Sequence, residues 1–186
     1  MNGRVISGIT GLFLFAVCIP FCGNERCMAI LIASLIHEAG HIAAAVLSRT
    51  PIRFAGMGMA GLSLRFDFSA SSPLREAAVC LAGPAVGAMV TVVSYFIGRG
   101  TYLAGACAAL SLFNLIPASY LDGGAALAAL LSLCLSPDTV WKITHTVSLI
   151  CTVFIFIASS VLVICTDADI SAALVSVYLV IRSTES

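Results

Sequence analysis

Two histidines and a glutamate interrupt an apolar stretch in the first quarter of the sequence. They form the run HEAGH at 37–41, within the apolar segment 27–47. Residues four apart on a helix share one face, so the two imidazoles can bind a single ion, and neutral imidazole is a good zinc ligand. Glu38 points to a different side, where its carboxylate can accept a proton from water on the metal. The pattern therefore predicts a zinc centre with His37 and His41 as metal ligands and Glu38 as the catalytic base.

The same three side chains could instead hydrogen-bond between packed helices. In a soluble protein that interpretation would carry weight. In a bilayer an ionisable side chain is costly and is usually retained for function. Three polar side chains within one short run of an apolar helix therefore favour a functional site.

A catalytic zinc has three protein ligands and one open position, so a further His, Asp or Glu is expected. Asp122 is the only carboxylate within the apolar run 102–134. Pro117 and the glycine pair after Asp122 predict a break in the helix, and irregular backbone at membrane depth occurs only where it is buried or lines a polar cavity. Asp122 is therefore the predicted third ligand. The other candidates lie at segment ends, where solvation or an interfacial position explains them: Glu76, Asp138, His145, Asp167 and Asp169.

The composition places most of this chain in a lipid bilayer. Of its 186 residues, 60% are hydrophobic and only 10% are charged, and the net charge is zero. No two Lys or Arg residues are adjacent, which argues against nucleic acid as a partner. The eight cysteines form no CxxC pair, and their positions in apolar runs are typical of packing residues.

The apolar segments predict about six transmembrane helices, because each span needs roughly 20 apolar residues. The fourth segment is too long for one straight helix, and Pro117 predicts that it is broken. A five-span alternative stays open because the last segment is short. The predicted spans are 5–22, 27–47, 76–97, 102–134, 140–164 and 168–181.

The basic residues predict the orientation of these spans. With six spans and a cytoplasmic N-terminus, seven of the nine Lys and Arg residues lie on the inside, as the positive-inside rule requires. The seven are Arg4, Arg49, Arg53, Arg65, Arg75, Lys142 and Arg182, and the two outside are Arg26 and Arg99.

The stretch 50–73 is rich in Gly, Ser and Met and is not helical in character. Apolar and polar residues alternate from Leu62 to Phe68, a pattern typical of a half-buried strand, and 52–54 can supply a partner strand. A plain cytoplasmic loop is the alternative. The overall prediction is an all-α polytopic membrane protein with a short, membrane-associated β-hairpin-like segment between helices 2 and 3.

The HEAGH run at 37–41 together with NLIPASYLDGG at 114–124 resembles the site-2 protease family of intramembrane metalloproteases. The resemblance covers about 27–135 and is greatest to the short bacterial branch that includes the stage IV sporulation protease, which processes a pro-sigma factor. It implies zinc bound by the two histidines and Asp122, with Asn114 as a substrate-binding residue beside the active site. The LAGP run at 81–84 resembles a further family motif that continues to an Asn, where this chain has Gly87.

These observations predict one transmembrane metalloprotease domain over 1–186, without a PDZ or nucleotide-sensing domain, in a bacterial cell membrane. Its expected partners are the lipid bilayer, a membrane-anchored substrate such as a pro-sigma or anti-sigma factor, and a regulatory membrane protein. The strand 62–68 offers either an edge for an unwound substrate or a lid against lipid. Two rival functions stay open: a metal transporter that uses the same ligands, and an inactive homologue that binds a membrane partner.

Overall fold

A computed structural model describes residues 5–6, 24–58, 61–68, 71–98 and 101–166 of the chain. Five α-helices and three β-strands lie in these ranges. In chain order they are β1 (Val5–Ile6), α1 (Asn24–Leu47), β2 (Ile52–Gly58), β3 (Gly61–Phe66), α2 (Pro73–Phe96), α3 (Tyr102–Asn114), α4 (Asp122–Leu131) and α5 (Pro137–Thr166).

The helix boundaries follow local capping chemistry. Pro73 begins α2 and Pro137 begins α5, at a position where the missing amide costs no intrahelical bond. The hydroxyl of Thr101 accepts a hydrogen bond from the Ala104 amide and caps α3. After α1 ends, Arg49 adopts a left-handed backbone conformation with φ of 55°.

Three of the described helices are long and apolar enough to cross a membrane: Glu25–Leu47 in α1, Pro73–Phe96 in α2 and Pro137–Ala158 in α5. Their large apolar side chains are widely exposed, as a lipid-facing surface requires. The predicted break of the fourth segment is confirmed, since α3 and α4 are two short apolar helices separated by 115–121. The last predicted span, 168–181, and most of the first lie outside the described residues.

The strands form an antiparallel sheet in the order β1-β3-β2. The hairpin of β2 and β3 lies where the alternating pattern predicts it, with Ile52 opposite Phe66 and Phe54 opposite Leu64. Two expectations need correction. Val5 and Ile6 pair with Arg65 and Leu64, so the predicted first span does not begin as a helix at residue 5. Because Leu64 and Arg65 of β3 are paired on both sides, part of its edge is covered, and the long unpaired edge among the described strands belongs to β2.

Helix α2 is the centre of the described bundle. It packs against α1, α3 and α4, whereas α5 packs mainly on α4. Phe66, at the end of β3, is almost completely buried and joins a small apolar core with Ala45, Val79 and Ala126, and Cys80 also belongs to it. The hairpin is thereby attached to the three helices α1, α2 and α4.

Candidate metal centre

The structure brings together the three residues that the sequence predicts as metal ligands. His37 Nε2 lies 2.9 Å from Asp122 Oδ2, His41 Nε2 lies 3.2 Å from the same oxygen, and the two Nε2 atoms are 3.1 Å apart. All three residues are buried, with exposed fractions of 5%, 0% and 4% for His37, His41 and Asp122. Three electron-pair donors from two helices therefore converge on one buried point.

The two histidines lie on consecutive turns of α1, and glycines let that helix approach α2 closely. A Cβ atom on Gly83 would overlap Nε2 of His41 and would lie 2.8 Å from both Cδ2 and Cε1. A Cβ atom on Gly40 would lie 2.8 Å from the carbonyl oxygen of Ala82. Any larger residue at position 83 would displace the imidazole, so the position of His41 depends on the absence of a side chain on the neighbouring helix.

A backbone carbonyl fixes the orientation and tautomer of His41. Nδ1 of His41 donates a hydrogen bond to the carbonyl oxygen of Val79, at 2.8 Å. Since a carbonyl can only accept, the proton of neutral His41 resides on Nδ1, and Nε2 presents a lone pair to the centre. Metal-binding histidines usually have such a partner on their other ring nitrogen. Nδ1 of His37 is buried and has no hydrogen-bond partner among the described residues.

Asp122 is positioned by the break between α3 and α4. It is the first residue of α4, where its carboxylate lies at the positive end of the helix dipole. The following glycines allow this first turn to fold back on the linker: a Cβ atom on Gly123 would overlap the carbonyl of Leu115, and one on Gly124 would overlap the carbonyl of Ala118. The irregular segment 115–121 thus directs the third ligand toward a site built on α1.

The arrangement fits a metal ion on two grounds. Zinc ligands at about 2.0–2.2 Å in tetrahedral geometry lie about 3.4 Å from one another, close to the 2.9–3.2 Å observed here. When both imidazoles are neutral, only His37 can carry a proton on Nε2, so a single proton must serve all three close contacts among the two Nε2 atoms and Oδ2. A cation at this point would instead accept an electron pair from each of the three atoms. Two imidazoles and a carboxylate suit zinc and other borderline divalent ions.

The other two predicted site residues, Glu38 and Asn114, are not part of the hydrogen-bonded trio. Glu38 is half-buried and lies within electrostatic range of His37, His41 and Asp122. Asn114 is buried at the end of α3, and its amide Nδ2 donates to the carbonyl of Leu110, at 3.0 Å. Among the contacts of the described residues, no bond joins Asn114 to the three ligand atoms.

Several residues that shape the centre were not identified from the sequence. The role of the Val79 carbonyl leaves no trace in the sequence, because any residue at that position would supply a backbone carbonyl. The roles of Gly40 and Gly83 depend on helix pairing, which the sequence does not reveal, although Gly83 lies in the LAGP run that resembles a family motif. Gly87 stands where the resembling motif has an Asn, and a Cβ there would overlap the hydroxyl of Ser111, so its small size permits α3 to approach α2.

Fold and site together define a helical protein with three described helices long and apolar enough to cross a membrane and with a buried candidate metal centre. The fold is that of the site-2 protease from Methanocaldococcus jannaschii, with a TM-score of 0.60. The two chains are 21% identical, and the match covers 96% of this chain and 87% of that one. No protein-family model and no curated protein matches this chain. At this identity the likeness establishes the fold, and the convergence of His37, His41 and Asp122 supplies the independent argument about chemistry.

Proposed function

We propose that this chain is a zinc-dependent intramembrane protease that hydrolyses a peptide bond in or near the transmembrane segment of a membrane-anchored protein. The observation that carries the proposal is the buried trio of His37, His41 and Asp122, with Glu38 one residue from the first ligand. The shared fold with a site-2 protease supports the same reading. A pro-sigma or anti-sigma factor is the proposed type of substrate, by resemblance to the short bacterial branch of that family.

Each residue of the site has a separate role in the proposed reaction. His37, His41 and Asp122 would hold the metal. A zinc ion bound there would supply an electrophile that acidifies water and polarises the scissile carbonyl. Glu38 would accept a proton from the attacking water on a carboxylate oxygen and donate it to the leaving amine. His41 is completely buried while Glu38 is only half-buried, which supports approach of water and substrate from the side of Glu38.

The substrate must be extended before it is cut, because a helix protects its own amides with internal hydrogen bonds. The unpaired outer edge of β2 would accept such a segment by strand addition. Asn114, buried at the end of α3, would bind the substrate backbone through its side-chain amide oxygen, since its Nδ2 already donates to Leu110. These contacts would hold an unwound peptide beside the buried trio.

We further propose that the protein is a multi-pass protein of a bacterial cell membrane with a cytoplasmic N-terminus. The support is the three helices that can cross a bilayer and the seven-to-two distribution of basic residues. Single cysteines placed beside Arg53 and Arg75 in a cysteine-depleted chain should react with an impermeant reagent from the cytoplasmic side, and one beside Arg99 from outside. The reverse pattern would refute this orientation.

Replacement of the proposed base tests the function directly. Glu38→Gln keeps the shape of the side chain and removes its ability to accept the proton. Zinc content and membrane insertion should stay normal, while cleavage of a co-expressed pro-sigma factor carrying its membrane segment should fall by about 100- to 10,000-fold, the range for general acid–base catalysis. Glu25→Gln, at the exposed start of the same helix, is the matched control and should cleave normally.

The same experiment separates the rival functions. A metal transporter would keep its zinc flux in the Glu38→Gln variant, because the base plays no part in transport. An inactive binding homologue would leave the substrate equally intact with wild-type protein and with the variant. Cleavage of a verified substrate by Glu38→Gln at the wild-type rate would show that Glu38 is not the base.

A further inference from the structure

The segment 115–121 directly precedes Asp122, the third predicted ligand, and has little regular structure of its own. Within it, the amide of Ala118 donates to Ile116 and the amide of Leu121 donates to Ala118. Pro117 has no amide to donate. In a bilayer each backbone group of such a segment needs a partner from the protein, since lipid offers none. A segment of this kind holds its shape only where neighbouring elements supply the missing bonds.

Helix α5 contacts this segment through two buried hydroxyl groups, one of which accepts from a backbone amide. The amide of Ser119 donates to Oγ of Ser148, at 3.0 Å. The hydroxyls of Tyr120 and Thr152 are 3.0 Å apart, and the Thr152 hydroxyl donates to the carbonyl of Ser148, at 2.8 Å. Because the Thr152 proton is used in that second bond, Tyr120 is the donor of the first.

These hydroxyls are unusual for their surroundings. Ser148 and Thr152 are each only 3% exposed, one turn apart on a helix whose other side chains are mostly apolar and exposed. By contrast, the hydroxyls of Thr144 and Thr146 donate only to carbonyls of their own helix, as Thr146 does to the carbonyl of Lys142. Buried hydroxyls directed at another element in a membrane protein contribute to specific positioning more than to the hydrophobic energy of packing.

We infer that Ser148 and Thr152 of α5 are positioning residues that hold the 115–121 segment so that Asp122 reaches the two histidines. Their partners, Ser119 and Tyr120, precede Asp122 by three and two residues. The first turn of α4 is packed too tightly on the linker to move independently, so a shift of the linker moves the carboxylate as well. The inference rests on the metal site of the proposed function, although α5 carries no ligand itself.

Zinc affinity is the first measurement, made on detergent-purified full-length protein by competition with a chelator. Ser148→Ala and Thr152→Val should each raise the zinc dissociation constant about tenfold, the lower part of the range for residues that orient metal ligands. Thr152→Ser, which keeps the hydroxyl, should restore the wild-type value. Thr146→Val removes a hydroxyl with no partner beyond its own helix and should leave the zinc affinity unchanged.

Hydrogen exchange of metal-free protein is the second measurement and does not depend on zinc. Amides of 115–121 should exchange faster in Ser148→Ala than in wild type, while those of α1 and α2 should not change. Unchanged exchange of this segment, or equal zinc affinities for wild type, Ser148→Ala and Thr152→Val, would overturn the inference and leave the proposed function intact. Absence of zinc binding by the wild-type protein would overturn the metal site and the inference together.

Discussion

The two sides of the candidate metal centre are built in different ways. On one side, α1 and α2 meet through Gly40 and Gly83, and His41 fits into the space that a side chain at position 83 would fill. On the other side, Asp122 follows an irregular segment that is held to α5 by hydroxyl hydrogen bonds. The histidines depend on steric fit between rigid helices, and the carboxylate depends on polar bonds to a linker. The histidine side should be sensitive to substitutions that add atoms, and the Asp122 side should be sensitive to substitutions that remove hydrogen-bonding groups.

This contrast also concerns what a bound metal does for the fold. The backbones of α1 and α4 scarcely touch, since each packs on α2 instead. A metal ion shared by His37, His41 and Asp122 would therefore link two helices that have no other extensive contact. Metal binding should stabilise the bundle by mass action, because the unfolded chain lacks the site.

The largest effect is expected from removing the charge of the third ligand while keeping its shape. Asp122→Asn leaves the fit of the histidines untouched, so it tests whether that fit alone retains zinc. We expect the zinc dissociation constant to rise by more than about 100-fold, beyond the effect of losing an orienting partner. The measurement is chelator competition on purified protein. Asp138→Asn, on the exposed first turn of α5, is the control, and equal zinc loss in both variants would contradict the assignment.

A smaller but still large effect is expected from adding one methyl group on the steric side. Gly83→Ala adds a Cβ that would overlap Nε2 of His41, so the imidazole must shift from its position beside Asp122. We expect an increase of about 10–100-fold in the zinc dissociation constant, comparable with the loss of an orienting partner. Chelator competition on the purified variant measures this dissociation constant. If Gly83→Ala had the zinc affinity of the wild type, the contact between α1 and α2 would accommodate an added methyl group more easily than the structure indicates.

Gly40→Ala should have a moderate effect, on stability more than on metal binding. The added Cβ would lie 2.8 Å from the Ala82 carbonyl and 3.0 Å from Cα of Gly83, so the two helices must separate slightly. Overpacking of this kind costs about 1–3 kcal/mol. A lower midpoint of thermal unfolding in detergent would be the evidence, and an unchanged midpoint would mean that the helices separate without cost.

The smallest effect, and one of opposite sign, is expected at Gly105 in α3. A Cβ there meets no atom within 4 Å, so Gly105→Ala adds helix propensity without a clash. We expect a gain of about 0.5–1 kcal/mol in the free energy of unfolding and an unchanged zinc affinity. Destabilisation by Gly105→Ala would imply that any alanine in these helices is harmful, and the effects at positions 40 and 83 would then lose their specific meaning.

Much of the site could be predicted from the sequence because its signals are local. The spacing of His37 and His41 is set by helix geometry, and Asp122 stands out as a lone carboxylate in an apolar run. Pro117 and the two glycines predicted the break that separates α3 from α4. The alternating pattern after residue 61 predicted β3 for the same reason, since strand periodicity is visible in a few residues.

The remaining features depend on contacts between distant parts of the chain. Pairing of β1 with β3 joins residues about 60 positions apart, and nothing in Val5 and Ile6 indicates a strand inside an apolar run. The role of Ser148 and Thr152 needs the knowledge that α5 lies beside the linker. Likewise, the importance of Gly83 follows only from the position of His41 on another helix.

The hydrogen bond from His41 to the carbonyl of Val79 has a consequence for how this centre would be mapped. Its acceptor belongs to the main chain, so every substitution at position 79 that preserves the helix also preserves the acceptor. A systematic alanine scan would therefore pass over one of the groups that orients a metal ligand. Only a change to the backbone itself would weaken that acceptor and make its contribution measurable. One such change is replacement of the peptide bond between Val79 and Cys80 by an ester through chemical synthesis.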